Sequence, residues 1–153
     1  TVIAALVTTL FTGIIWPGYQ RLTSEEIPIR ELITKEANLV LEGKIDEYLS
    51  LFTDDAYIRD AAGGDTSREM VWYGKNMIAE RYRNLPSFIY LRHDAIQITL
   101  SLDKIYARAV ADTIGAFKAN ATVRKISSNQ GEKWTFNKIY GEWRIASFTY
   151  NLP

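Results

Sequence analysis

The sequence predicts an α+β domain in which a strongly curved antiparallel sheet wraps around three helices. Three observations predict it. Between Leu41 and Asp60 the chain leaves one helix, breaks at Gly43, forms a short second helix and continues as a strand. Within that stretch Ile45, Tyr48, Leu49 and Phe52 recur at i, i+3, i+4 and i+7, one face of a helix. From Ala95 onward the pattern changes to alternation, with Ile96, Ile98, Leu100 and Leu102 on one face of a strand and further strand-like runs behind it.

In chain order, Thr1 to Gln20 carries no formal charge, and Val2 to Trp16 is mostly apolar. As a helix that run would extend roughly 22 Å, short of the ~30 Å hydrocarbon core. Three readings stay open: the stub of a membrane anchor, a helix packed on the domain or on a partner subunit, and a signal-peptide apolar region, for which no small-x-small cleavage site follows. The expected organisation is an apolar N-terminal segment, residues 1–22, ahead of a single domain, residues 23–153. Thr23-Ser24-Glu25-Glu26 reads as a hydroxyl cap with acids in the first turn. The helix it opens runs to about Leu41 with a stripe of Ile29, Leu32, Ile33, Ala37 and Val40, and Glu36 falls near the middle of that stripe. Burying such a carboxylate without a partner costs several kcal/mol.

Asp54 and Asp55 are expected to turn the chain into a strand from Ala56 to Asp60, and Ala61 to Ser67 is a loop by composition. No Gly-Lys-Ser/Thr follows its glycines, so it is not a phosphate-binding loop. Trp72-Tyr73-Gly74 leads into a third helix, Lys75 to Leu85, stopped by Pro86. The strand from Ala95 to Asp103, extended backwards in phase, puts Arg92 and Asp94 on the apolar face and His93 on the other. Lys104 to Lys118 is a long strand whose Ala107, Ala109 and Ala111 allow close packing. Ala121 to Ile126 reads as a short strand, Ser127 to Gly131 as a turn, and Glu132–Ile139 with Trp143–Tyr150 as a hairpin. Glu132 shares a face with Trp134 and Phe136.

Composition narrows the function classes. Lys plus Arg and Asp plus Glu are equal at 18 each, which argues against a general nucleic-acid binder. The absence of cysteine removes disulfides, thiolate nucleophiles and Cys-based metal sites. A single histidine, His93, excludes a site built on two imidazoles from one chain, and the carboxylates show no metal-ligand spacing. No cofactor is implied.

Glu42-Gly43-Lys44-Ile45-Asp46-Glu47-Tyr48, followed by Phe52-Thr53-Asp54-Asp55-Ala56-Tyr57-Ile58-Arg59-Asp60, resembles the nuclear transport factor 2-like (SnoaL-like) superfamily. Tyr73-Gly74-Lys75 and Tyr140-Gly141-Glu142-Trp143-Arg144-Ile145 match its habits as well, and the resemblance covers about Glu25 to Tyr150. It implies a cone-shaped fold and a choice among isomerases, dehydratases, cyclases, carrier-binding subunits and association domains. Ketosteroid isomerase is the member with the best understood chemistry. By resemblance its general-base position is Asp60, its oxyanion-hole tyrosine position is Glu36, and its protonated aspartate matches Glu132. Glutamate in place of that tyrosine departs from the isomerase pattern. The scytalone dehydratase type needs two histidines and is excluded.

The resulting expectation is a cavity holding Asp60 as proton acceptor and Glu132 or Glu36 as donor or orienting group, with Arg92 and Asp94 as counter-charges. Trp72, Tyr73, Tyr82 and Trp134 are core aromatics of which some would line a pocket for a small apolar or aromatic molecule. A pocket of roughly 300 Å³ or more lined by Asp60 and Glu132 would favour such binding. The alternative is a non-catalytic association domain tethered through its apolar N-terminus. His93 is read as a surface or interface residue whose strand face, with Gln97 and Thr99, pairs two subunits into a homodimer. Cytoplasmic and membrane-tethered placements both stay open.

Overall fold

The computed structural model describes residues 24–153. The expectations for Thr1 to Gln20, and for residues 1–22 as a separate segment, lie outside the described residues. Three helices are α1 (Glu26–Glu42), α2 (Ile45–Ser50) and α3 (Gly74–Arg83). Six strands are β1 (Phe52–Asp60), β2 (Met70–Tyr73), β3 (Ser87–Leu100), β4 (Tyr106–Ala119), β5 (Thr122–Ile139) and β6 (Glu142–Tyr150). They form one curved sheet in the order β2-β1-β6-β5-β4-β3, in which β1 and β6 run parallel and every other pair antiparallel. The predicted α+β class, a curved sheet with three helices, is the observed one.

The helices cover one face of the sheet. Ile29 and Ile33 of α1, Tyr48 of α2, Ile78 of α3, and Phe52, Ile58, Trp134, Phe136 and Ile145 of the strands are fully buried together. Each large apolar side chain removed from water in this way contributes about 1.5–3 kcal/mol. Ala107, Ala109 and Ala111 of β4 are buried beside them, and their small size leaves room for the aromatic rings on β5. Gly43 ends α1 in the left-handed conformation, φ +69°, which glycine adopts without the steric penalty of a Cβ. Tyr82 donates its hydroxyl to the Leu39 carbonyl in the last turn of α1, so α3 caps part of that exposed helix end.

Several expected boundaries shift. The hydroxyl cap at Thr23–Ser24 is replaced by Glu25, which makes no side-chain cap bond; its carboxylate instead accepts from Lys138 Nζ (2.8 and 3.0 Å) and Trp143 Nε1 (3.0 Å). Asp54 and Asp55 lie within β1 rather than in a turn, and Asp54 pairs with Lys75 at 2.8 Å. The irregularity is taken up in register: β1 slips against β6 between Phe52 and Tyr57. Trp72 and Tyr73 belong to an edge strand, β2, too short to show alternation.

Two further corrections decide what faces the helices. β3 begins at Ser87, and between Asp94 and Gln97 it carries one more residue than β4 opposite it. Ala95 absorbs the excess at φ +49°. A one-residue bulge inverts the side-chain phase, so Leu91 and His93 point inward and Arg92 and Asp94 outward. Ser127 to Gly131 is likewise not a turn but a second bulge inside the continuous strand β5, with Gln130 at φ +51°. Its polar groups are bonded to β4, Thr113 N–H donating to Ser128 Oγ (3.2 Å) and Gln130 N–H to Asp112 Oδ1 (2.8 Å). Gly131 is required there, because a Cβ would sit 2.7 Å from Ser128 Cβ.

Candidate functional site

A cavity of about 300 Å³ opens where the first halves of β3 and β5 and the last halves of β4 and β6 meet α1 and α3. Its apolar wall includes Val40, Leu85, Phe88, Leu91, Phe117, Ile126 and Phe148. The polar groups that reach it are Glu36 from α1, Arg81 from α3, His93 from β3, Thr113 from β4, Glu132 from β5, and Tyr150 with Asn151 at the end of β6.

Glu36 and His93 form the centre. Both side chains are 3% exposed, and Glu36 Oε2 lies 3.7 Å from His93 Nε2. Tyr48 donates its hydroxyl to Glu36 Oε1 at 3.0 Å, which leaves Oε2 as the oxygen facing the imidazole. Burial, reinforced by the Glu36 carboxylate, pushes the Tyr48 phenol well above its ordinary pKa, so it remains a donor. His93 Nδ1 is 2.8 Å from Thr113 Oγ1. When Thr113 donates to Nδ1, Nε2 carries the hydrogen. Among the described residues Nε2 has no hydrogen-bond partner, and the ring stands edge-on to Trp134, centroids 4.8 Å apart.

The second carboxylate, Glu132, is also buried and accepts from Ser128 Oγ at 2.8 Å. Ser128 in turn accepts from Thr113 N–H, so the β5 bulge ties Glu132 to the residue that orients His93. Arg81 places its guanidinium over Tyr150 and Trp72, 4.9 and 5.4 Å from the ring centroids. Burial disfavours its charge, but Tyr48, Tyr150 and Glu36 outweigh this and hold its pKa above the ordinary arginine value.

Of the residues singled out in the sequence, Glu36 and Glu132 line the cavity. Asp60 does not: its Oδ1 accepts from Ala62 N–H and Asn151 Nδ2, both at 2.9 Å, so it stands behind the wall. Trp134 is fully buried against His93 and stacked on Phe148 at 4.9 Å. Tyr82 is committed to α1, Trp72 to Arg81, and Tyr73 is exposed beside Tyr57. Arg92 and Asp94, expected inside, are paired with each other at 3.0 Å on the outside, 65% and 44% exposed. His93, expected on the surface, occupies the inward position. The Ala95 bulge is the reason for all three, and nothing in the alternation pattern marks it. Thr113, Arg81 and Tyr150 were not singled out; each sits in an ordinary strand or helix pattern. Among the described residues no group of three His, Asp or Glu side chains is arranged to hold a metal.

No family model and no curated protein matches the sequence. Solved structures match the fold. A ketosteroid isomerase-like protein from Erwinia carotovora atroseptica aligns with a TM-score of 0.67 at 18% identity, over 84% of this chain and 95% of the other. A nuclear transport factor 2-like protein with a cystatin-like fold from Novosphingobium aromaticivorans aligns at 0.65 and 15% identity, over 96% and 85%. A protein from Exiguobacterium sibiricum, provisionally described as a Ca/calmodulin-dependent kinase II association domain, aligns at 0.63 and 8%, over 84% and 93%. At these identities the likeness establishes the fold, which is the cystatin-like, nuclear transport factor 2-like fold that the sequence resemblance implied.

Proposed function

We propose that the chain binds a small, largely apolar molecule in this cavity, where Glu36 moves a proton on it while His93 holds its oxygen. The observation that carries the reading is the nearly dry pair Glu36 Oε2 and His93 Nε2, 3.7 Å apart, at the wall of a mostly apolar cavity. That separation is too long for a direct hydrogen bond and short enough for one ligand oxygen to meet the imidazole while the adjacent carbon faces the carboxylate. A buried donor left unpaired costs about 1–3 kcal/mol, which a ligand carbonyl or hydroxyl would recover.

The reaction class this favours is proton abstraction next to a carbonyl. Glu36 accepts the proton, Tyr48 fixes the carboxylate, and His93 Nε2–H stabilises the developing enolate oxygen. Returning the proton to another carbon gives an isomerase; expelling a leaving group from the neighbouring carbon gives a lyase. Glu132, positioned by Ser128, is the second carboxyl. Glu36 thus takes the accepting role that the resemblance implied for Asp60, and Asp60 positions Asn151. The ketosteroid isomerase-like neighbour supports this class by analogy of fold only.

The test is a screen of cyclic ketones and hydroxylated rings followed by NMR, with Glu36→Gln and His93→Gln as variants. A bound compound perturbs Leu91, Ile126 and Phe148 resonances. His93→Gln weakens binding by about tenfold, roughly 1.4 kcal/mol. Glu36→Gln retains binding and loses about 10²–10⁴ in turnover. Ligands that bind without touching those three residues would overturn the reading. A second reading, a non-catalytic homodimer formed through the outer sheet face around Gln97 and Thr99, draws on the association-domain neighbour. Sedimentation equilibrium showing a dimer, together with an empty screen, would favour it.

A further inference from the structure

The end of the fold opposite the cavity exposes several large apolar side chains. There the β3–β4 loop presents Leu102 and the β5–β6 turn presents Tyr140, both fully exposed, with Ile27, Ile105 and Ile139 exposed around them. Backbone and side-chain bonds gather these residues at one tip. Lys138 N–H donates to the Ile105 carbonyl (2.9 Å), and Glu25, two residues before Ile27, bonds Lys138 and Trp143. Isolated exposed apolar side chains are ordinary, but a contiguous group marks a contact surface.

The chain enters the described fold at this same tip, through Ser24 and Glu25. Upstream of it lies the uncharged stretch Thr1 to Gln20. The four residues from Gln20 to Ser24 reach at most about 14 Å even when fully extended. Whatever holds the end of the uncharged stretch therefore lies within that distance of Ser24. We infer that this tip rests on a lipid bilayer into which Thr1 to Gln20 inserts, with Leu102, Tyr140, Ile105, Ile139 and Ile27 dipping into the interface.

The charges at the tip narrow the kind of contact. Lys104, Lys138 and Arg144 stand against Glu25, Glu26, Asp103 and Glu142, so the surface has no positive excess. Lys138 is bonded to Glu25, and Arg144 pairs with Glu142 at 2.6 Å. Attraction to anionic lipid headgroups is thus not the driving term, and apolar insertion into a neutral interface is. Phe88 near the cavity and Leu100 near the tip are separated by twelve residues of β3, at most about 40 Å at ~3.3 Å per residue. With the tip on the bilayer, the cavity lies toward the other end of β3, on the side away from the lipid.

The absence of native cysteine allows a direct test in the full chain. Single variants Leu102→Cys, Tyr140→Cys and, at the cavity end, Thr66→Cys carry a polarity-sensitive fluorophore and are reconstituted into phosphatidylcholine vesicles. The expected result is blue-shifted emission at 102 and 140, quenched by nitroxide-labelled lipid and unchanged by added salt, with water-like, unquenched emission at 66. Equal, water-like emission at all three positions would overturn the proposal. So would a blue shift at 102 and 140 without lipid quenching, which would mean that protein covers the tip, either residues 1–20 or a second copy. A full chain that does not partition into the vesicles would also overturn it. Because 102 and 140 are fully exposed at loop and turn tips, labelling leaves the core intact, and circular dichroism checks each variant. The outcome is independent of whether the cavity binds a ligand.

Discussion

Tyr48 joins the core to the site with one side chain. Its ring packs against Phe52 and Tyr82, centroids 5.1 and 4.5 Å away, and its hydroxyl is the donor that Glu36 Oε1 uses. Tyr48→Phe keeps the ring and removes the donor, leaving a carboxylate oxygen buried without a partner. The expected cost is about 1–3 kcal/mol, read as a lower urea midpoint at unchanged slope. Replacing both partners by apolar groups of similar shape removes the unmet demand, so the Tyr48→Phe, Glu36→Leu pair should be less destabilised than the sum of the single variants. Strict additivity in that double-mutant cycle would mean the two side chains do not interact. At this scale Glu36 was legible in the sequence, because a carboxylate in the middle of an apolar helical stripe stands out against its neighbours. Its partner was not. His93 and Tyr48 are 45 positions apart, and neither carries a local sign that both turn toward one carboxylate.

The bulge at Ala95 decides which side chains the sheet offers to the helices. Strand phase has a period of two, so one inserted residue exchanges the two faces for everything beyond it. Phase counted back from Ile96 and Ile98 therefore placed Arg92 and Asp94 inside and His93 outside, the reverse of what the folded strand does. Nothing in the composition near Ala95 announces the inversion: bulges favour glycine at the left-handed position, and this one has alanine at φ +49°. The second bulge was misread for the opposite reason. Ser127 to Gly131 has the composition of a turn, yet β4 supplies hydrogen bonds on both sides of it and keeps β5 continuous. Helices, whose pattern spans three or four turns, were recovered more closely than these long strands. Deleting Ala95 should test the bulge. It would remove the extra residue, let Ile96 pair with Ala111 in an unbroken ladder, and leave His93 inward and Arg92 and Asp94 outward. The expected readout is a retained cooperative thermal transition with His93 still protected from solvent; a deletion variant in which His93 becomes exposed and Arg92 and Asp94 turn inward would contradict this account of the register. Ala95→Gly should be tolerated, because glycine accepts the same backbone angle without the Cβ penalty.

Taken as a whole, the molecule holds its two ends by different means. The cavity end is closed by Asp60 bonding Asn151 and by Gly63 N–H donating to the Asn151 carbonyl (2.7 Å). At the other end Glu25 clamps the start of α1 to the β5–β6 hairpin. Lys138 first, and then Trp143, hydrogen-bond the Glu25 carboxylate and hold its pKa below the ordinary glutamate value, with desolvation working in the other direction. The sign of the linkage follows. A carboxyl whose folded pKa is depressed stabilises the fold at pH values above its unfolded pKa, and that contribution fades as the pH falls through the folded value. Asp54 beside Lys75, Asp65 beside Ser67 and Arg68, Glu69 beside Arg59, and Asp103 beside Ser101 are lowered too and fade in the same acid range. Stability should therefore be flat from neutral pH to about 5 and decline below it. Glu25→Gln removes one member of this set and the charge that pairs with Lys138, so its melting temperature should lie below that of the parent chain at pH 7. The gap should close as the pH is lowered, because protonating Glu25 in the parent produces the same uncharged side chain. Melting curves of both chains between pH 7 and pH 3 measure it. A gap that persists undiminished at pH 3 would show that the substitution acts by packing alone, and that the clamp between α1 and the hairpin does not depend on the charge of Glu25.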